Sequence, residues 1–218
     1  MEYTISIENV VVWLVIYFIM CGILPTILDI TIWRTFGTKI STWLNLLTLI
    51  VFNSLFIFYL TNKYKLKISI FSNITLKGIL LAIGCSVLFF ILLDKFLDTF
   101  FDSVFTTSAE GYQKTIASLR QFPIANFIRI CLLAPIVEEI LMRGYILSSL
   151  QNKYGTVIAL LVSSLLFAIL HFNFVQTLSA VVCGLILGLL YISTGSLFCC
   201  ILAHSLYNAI SFFACVLE

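Results

Sequence analysis

The chain runs in long, continuous apolar stretches separated by short polar ones. Seven stretches approach the roughly 20 residues that carry a helix across a hydrocarbon core. They lie near residues 9–28, 41–60, 78–93, 124–149, 156–172, 176–193 and 196–216. Within them apolar residues follow one another without the alternation of a barrel strand. In lipid every backbone N–H and C=O must be satisfied inside the protein, so these runs predict helices. The expected fold is all-α, a polytopic transmembrane helical bundle of about seven spans. The polar joints near 173–175 and 194–195 are too short to separate domains, and no internal repeat interrupts the chain. Residues 1–218 therefore read as a single integral membrane domain. Three spans and an interfacial loop fill 1–123, and the remaining helices fill 124–216.

Composition strengthens this reading. Of 218 residues, 61% are hydrophobic and 10% charged, with a mean hydropathy of +1.14. A soluble domain is nearer half apolar and a quarter charged, and no water-soluble fold of this size could cover so much apolar surface. The partner implied throughout is the lipid bilayer. A net charge of +2 without a basic stripe excludes a nucleic-acid partner. The first run lacks a basic segment before it and continues toward spanning length, so no cleavable signal peptide is expected. The seven cysteines all lie in apolar runs, odd in number and without motif spacing. That pattern suits small buried hydrophobes and no disulfide framework.

Charge concentrates in three connections. The first holds Asp29, Arg34 and Lys39, and the second Lys63, Lys65, Lys67 and Lys77. The third, 94–123, holds Lys95, Lys114 and Arg120 beside Asp94, Asp98, Asp102 and Glu110. Within it Leu97, Phe100, Phe101 and Val104 recur at helical spacing, which suggests a short interfacial helix. Basic residues ordinarily orient such a protein. Here seven spans put Arg34, Lys39, Lys95, Lys114 and Arg120 on one side and Lys63, Lys65, Lys67, Lys77 and Lys153 on the other, five against five. Arg129, just inside the fourth span, adds one to the first side. Charge alone does not orient the chain. Trp43 and Tyr191, near span ends, read as interfacial anchors.

An ionisable group inside a transmembrane helix is costly and marks function by default. The fourth span reads Ala-Pro-Ile-Val-Glu-Glu-Ile-Leu-Met-Arg-Gly over 134–144. Glu139 and Arg143 are four apart and can pair along one face. Glu138 points about 100° away with no partner nearby in sequence, which makes it the candidate base. Read as structure alone, the same residues are a buried salt bridge beside a solvated glutamate. Both histidines of the chain fall in this half, His171 at the end of the fifth span and His204 in the seventh, where Asn208 shares its helix face. Antiparallel packing of the fourth, fifth and seventh spans would let these groups line one water-accessible pocket.

Two glutamates, two histidines and an asparagine suit hydrolysis. A carboxylate with an imidazole can deprotonate water and protonate a leaving amine, while a second imidazole and a carboxamide can donate to an oxyanion. Glu138, His171 and His204 could equally hold Zn²⁺ with an open position. These residues alone leave the metal-dependent and metal-free mechanisms both open. There is no His-Glu-x-x-His helix and no Gly-x-Ser-x-Gly elbow, and the aspartates do not suggest an aspartyl dyad.

Glu138-Glu139-x-x-x-Arg143, Phe167-x-x-x-His171 and His204-x-x-x-Asn208, in that order over 124–210, resemble the signature of the CPBP family of intramembrane proteases, also called the Abi or type II CAAX prenyl protease-like family. The resemblance implies an endopeptidase acting on a peptide or protein substrate, prenylated or otherwise membrane-associated, in a multi-pass protein of the bacterial plasma membrane. It implies Glu138 with His171 as the water-activating pair, His204 with Asn208 at the oxyanion, and Glu139 and Arg143 in support. It also implies a site open to the cytoplasm, hence an outside N-terminus. Members are described both as metalloproteases and as metal-free glutamate enzymes. Met142 stands where an aromatic residue often precedes the arginine, and the chain ends soon after the seventh span, where some members have a further helix. A different class, a non-catalytic scaffold of the same fold in bacteriocin self-immunity or sensor-kinase control, is disfavoured because a scaffold has no reason to keep every costly group. A small transporter is disfavoured by the lack of repeats and broken span pairs.

Three further patterns carry little. Cys215-Val216-Leu217-Glu218 spells C-a-a-X, but Glu is an unusual last residue and no flexible basic tail precedes the cysteine. Asn73-Ile74-Thr75 is a sequon of a kind common by chance. Gly184-x-x-x-Gly188 predicts close approach of another helix of the same bundle.

Overall fold

A computed structural model describes residues 5–64, 68–171 and 173–216. Lys65 and Lys67 of the basic connection, and Leu217 and Glu218 of the C-a-a-X pattern, lie outside the described residues. Two compact units make up the chain, Met1–Ile68 and Ser69–Glu218. No strand occurs among the described residues.

The first unit is a helical hairpin, α1 (Ile7–Thr31) and α2 (Thr38–Tyr64), joined by a 3₁₀ turn at Trp33–Phe36. Ser6 caps α1 by accepting from the Asn9 N–H. Polar clasps fix the pair where lipid gives no hydrophobic drive between helices. Trp13 Nε1 donates to the Tyr64 hydroxyl at 2.7 Å, Trp33 Nε1 to Thr48 at 3.1 Å, and Ser41 to Asp29 at 2.5 Å.

Among the described residues the second unit holds six helices. These are α3 (Leu76–Val104), α4 (Thr106–Leu119), α5 (residues 123–154), α6 (Thr156–Ile169), α7 (Phe174–Thr194) and α8 (Leu197–Val216). Thr75 caps α3 through the Gly78 N–H and Asn173 caps α7 through the Gln176 N–H. The sharp turns into α6 and α8 fall on Gly155 and Gly195, at φ of 83° and 62°, where a side chain would be strained. The long contacts run α6 against α7 and α8 against α3.

All seven apolar stretches are helical, and five of the helices among the described residues are long and apolar enough to cross a membrane: α1, α2, α3, α7 and α8. The other two depart for separate reasons. α6 has only 14 residues, about 21 Å of rise. α5 is long but carries Arg129, Glu138, Glu139 and Arg143. Many large apolar side chains face outward, among them Leu80, Val157 and Ile169, as lipid-facing residues must.

Two local expectations meet the structure differently. The third span does not end at 93 but continues as helix to Val104. Leu97, Phe100, Phe101 and Val104 form its last turns, and the short helix of this connection is α4. A hydropathy reading stops at the charged cluster, whereas a helix tolerates Asp94 and Asp98 once their side chains find partners inside the unit. The Gly184 and Gly188 pair does let two helices of the bundle approach: a methyl group on Gly184 would lie 3.0 Å from the Ser164 Cα, and one on Gly188 2.3 Å from Leu160 Cδ1. Both neighbours belong to α6.

Candidate active site

The site begins with an irregularity in α5 that proline imposes. Pro135 has no N–H to give. Upstream of it, Ile128–Leu133 opens into a wide π turn, and the Ala134 N–H reaches back to the Arg129 carbonyl. The Ile130 carbonyl would take its bond from residue 134 or 135, and one donor is used while the other is proline. Asn208 of α8 fills the gap, its Nδ2 donating to the Ile130 oxygen at 2.9 Å. A carbonyl left bare inside a membrane is expensive, so this bond ties α8 to the kink of α5. Asn208→Ala is expected to lower unfolding stability by about 1–3 kcal/mol through the orphaned acceptor. An unchanged melting transition in detergent would count against that role.

One turn beyond the kink stand the glutamates. Glu139 and Arg143 are both fully buried, with Arg143 Nη1 3.0 Å from Glu139 Oε1. The i,i+4 pair predicted from spacing is therefore present. Arg143 also donates from Nη2 to the Gly184 carbonyl at 2.9 Å, and its guanidinium lies 4.9 Å from the Phe167 ring centroid. The close approach permitted at Gly184 thus brings the α7 backbone within reach of the arginine. Glu139 Oε1 is shared: His204 Nδ1 stands 2.9 Å from it. A carboxylate oxygen only accepts, so Nδ1 carries the proton and, in the neutral ring, the lone pair is on Nε2.

Glu138 faces the other way, as its 100° offset requires. Its side chain is 22% exposed, and its Oε2 lies 3.8 Å from His204 Nε2. That separation is too long for a direct hydrogen bond and suits a bridging water. Glu138 opens on a cavity of about 380 Å³. His171, His204, Asn208 and Phe167 line it too. The Phe167 ring sits edge-on between the imidazoles, with centroids 5.1 Å from His171 and 5.7 Å from His204. His171 Nδ1 lies 3.1 Å from the Phe167 carbonyl, which only accepts, so this nitrogen too is the donor.

All six predicted residues therefore meet in one region, four of them on the cavity and Glu139 and Arg143 behind it. Their pairing differs from the expected one. His204, anchored on Glu139, is the imidazole beside Glu138, and no hydrogen bond or ion pair joins Glu138 to His171 among the described residues. Asn208 already spends one N–H on Ile130. The cavity also contains polar groups that sequence reading passed over. Asp94 accepts from the Tyr207 hydroxyl at 2.8 Å, Asp98 accepts from Ser179, and Arg129 lines the wall. The signal for the aspartates was present, since residues four apart share a helix face once α3 is extended past 93.

The Zn²⁺ set proposed from sequence was Glu138, His171 and His204. Each imidazole gives Nδ1 to an acceptor and keeps Nε2, the orientation metal-binding histidines adopt. Among the described residues, however, no three His, Cys, Asp or Glu side chains stand close enough to hold an ion together. As placed, the set is suited in kind and not in spacing.

No curated protein and no solved structure matches the chain. Residues 120–210, which span everything from the start of α5 to Asn208, match a family model described as type II CAAX prenyl endopeptidase Rce1-like. This is the resemblance carried by the glutamate pair, the two histidines and Asn208. The site-bearing segment of this integral membrane protein is therefore similar to the Rce1-like family of type II CAAX prenyl endopeptidases.

Proposed function

We propose that the protein is an intramembrane endopeptidase that hydrolyses a peptide bond of a membrane-associated or prenylated substrate with water activated by Glu138. The observation that carries this reading is a cavity-facing carboxylate 3.8 Å from the Nε2 of a histidine whose other nitrogen is locked on a buried Glu139–Arg143 pair. In this reading a water bridges the gap, donating one hydrogen to Glu138 Oε2 and one to His204 Nε2, so that its lone pairs face the substrate carbonyl. Glu138 takes the proton as the water oxygen bonds to the carbonyl carbon. The second N–H of Asn208 is the donor nearest in kind to an oxyanion hole, and His171 lines the same cavity. Collapse breaks the C–N bond, and Glu138 returns its proton to the leaving amine.

We propose that this chemistry runs without a metal. Full activity in protein stripped by a chelator supports that. Stoichiometric metal in active protein, lost with His204→Ala, would restore Glu138, His171 and His204 as a ligand set. We place the protein in a bacterial plasma membrane, facing a substrate at the cytoplasmic side.

The direct test compares membrane peptidomes from cells carrying the wild-type protein and Glu138→Gln at equal abundance. Fragments that appear only with the wild type support the hydrolase. Identical peptidomes, with a phenotype that persists in the variant, would instead make the protein a scaffold.

A further inference from the structure

A substrate that reaches Glu138 has to pass a wall built from every helix of the second unit. Residues of α3, α4, α5, α6, α7 and α8 all line the cavity, α4 through Thr115, Ile116 and Leu119. Of these helices α4 is the polar one. Glu110, Gly111, Gln113 and Lys114 are exposed along it, and among its described side chains only Ile116 and Leu119 are buried. A short helix with few buried apolar contacts belongs to the low-stability end of a fold. α4 is the part of the wall that costs least to move.

The two ends of α4 are held by different means. At the C-terminal end Ile116 and Leu119 pack with Cys131 and Phe212, and Asn126 Nδ2 donates to the Leu119 carbonyl at 2.9 Å in a buried bond. At the N-terminal end the hold is a polar clasp. Ser108 Oγ donates to Asn173 Oδ1 at 2.9 Å, and Asn173 Nδ2 donates back to the Ser108 carbonyl at 2.9 Å. The Val175 N–H donates to Ser108 Oγ at 3.4 Å. Beside them the exposed Phe105 and Phe174 rings meet edge-on, centroids 4.8 Å apart. The backbone leaves helical geometry at Phe105, with φ −115° and ψ 60°, so α4 is not a rigid continuation of α3. Asn173 caps the first turn of α7, and the α7 wall of the cavity starts in that turn, at Gln176. The clasp therefore closes a seam between α4 and α7 that runs into the cavity.

Resting on the endopeptidase reading, we propose that α4 is a hinged cover, latched by Ser108 on Asn173, which opens at that end to admit the substrate. The hinge is the end pinned by Ile116 and Leu119. Opening the latch exchanges partly buried hydrogen bonds for bonds to water, a small net cost. Releasing the other end would expose apolar side chains and orphan a buried carbonyl.

Cys183 reports on opening without any need for activity, because it lines the cavity and is only 4% exposed. The full-length protein in nanodiscs is treated with fluorescein maleimide, and modification of Cys183 is timed by mass spectrometry of the digested protein. Ser108→Ala removes the hydroxyl of the latch. Asn173→Asp keeps the cap on α7 but sets a carboxylate oxygen against the Ser108 carbonyl. Each is expected to speed modification about fivefold, the effect of one ordinary hydrogen bond on an equilibrium, with a melting transition close to wild type. Arg120→Gln, which loses the bond to the Cys215 carbonyl at the hinge end, should leave the rate near that of the wild type. Rates unchanged in both latch variants, or no modification of Cys183 in any form, overturn the proposal. Acceleration by Arg120→Gln equal to theirs overturns it too, as does acceleration seen only where the melting transition falls. Initial rates of peptide cleavage by the same proteins keep the two readings apart. Faster modification without cleavage by the wild type sinks the hydrolase and leaves the cover, while cleavage with modification indifferent to the latch sinks the cover and leaves the hydrolase.

Discussion

Glu138→Gln is expected to slow peptide hydrolysis by about 10²–10⁴-fold, the range supplied by a positioned general base, with no loss of folded protein. The substitution keeps the shape of the side chain and removes only its capacity to take a proton. Because Glu138 is partly exposed to the cavity and the buried Arg143 pairs with Glu139 rather than with Glu138, the change leaves no buried cation unpaired. The loss should therefore appear in kcat, with KM and the melting transition close to wild type. His204→Ala makes a useful contrast. It removes the group proposed to orient the water and also frees one contact of Glu139 Oε1, so both rate and stability should fall. Initial rates on a membrane-reconstituted peptide, read beside thermal unfolding, separate the two. Glu138→Gln protein that retains activity within about tenfold of wild type would remove Glu138 as the base.

How much of this site could be read from sequence depends on how local each relationship is. The Glu139–Arg143 bridge was legible because helix geometry alone brings residues four apart together, and the opposite facing of Glu138 followed from the same period. The meeting of α5, α6 and α8 followed from the ordered motifs and from antiparallel packing. Which histidine would stand beside Glu138 was not legible. That depends on the rotation of α8 against α5, and on the bond from His204 to Glu139, 65 positions apart. The role of Asn208 was hidden for a related reason. Its partner is a backbone carbonyl that loses its donor only because Pro135 follows a π turn, and no side-chain pattern announces that. Pro25 sits just after a similar turn, Phe18–Ile23, in α1, so proline in an apolar run is a usable signal for such turns. The seven apolar runs were all helices, yet hydropathy could not distinguish a short α6 from a full span, and it cut α3 at its first carboxylate. Asp94 and Asp98 were lost with that cut, because a carboxylate satisfied by Tyr207 or Ser179 looks in sequence like one meeting water.

Removing one partner of the buried pair should give the largest change in stability. Arg143→Met is expected to destabilise the protein by about 3–5 kcal/mol, the usual result of stranding a buried charge. The arginine binds Glu139, the Gly184 carbonyl and the Phe167 ring, so its loss releases α5 from α6 and α7 together. Glu139→Met strands Arg143 in the same way and also takes the acceptor from His204. The double substitution should recover most of the stability, since two apolar side chains in place of a buried ion pair are often neutral or better. Activity should not return with it. Without Glu139 nothing fixes the proton on His204 Nδ1 or holds the ring toward Glu138, and an imidazole free to turn cannot hold the water at a 3.8 Å gap. Thermal unfolding and initial rates on the three variants decide the matter. A double variant that is both stable and active would mean that His204 is oriented by its packing against Phe167, and that the ion pair serves the fold alone. A stable, inactive one makes the pair a positioning device, retained in an apolar helix for what it does to the histidine.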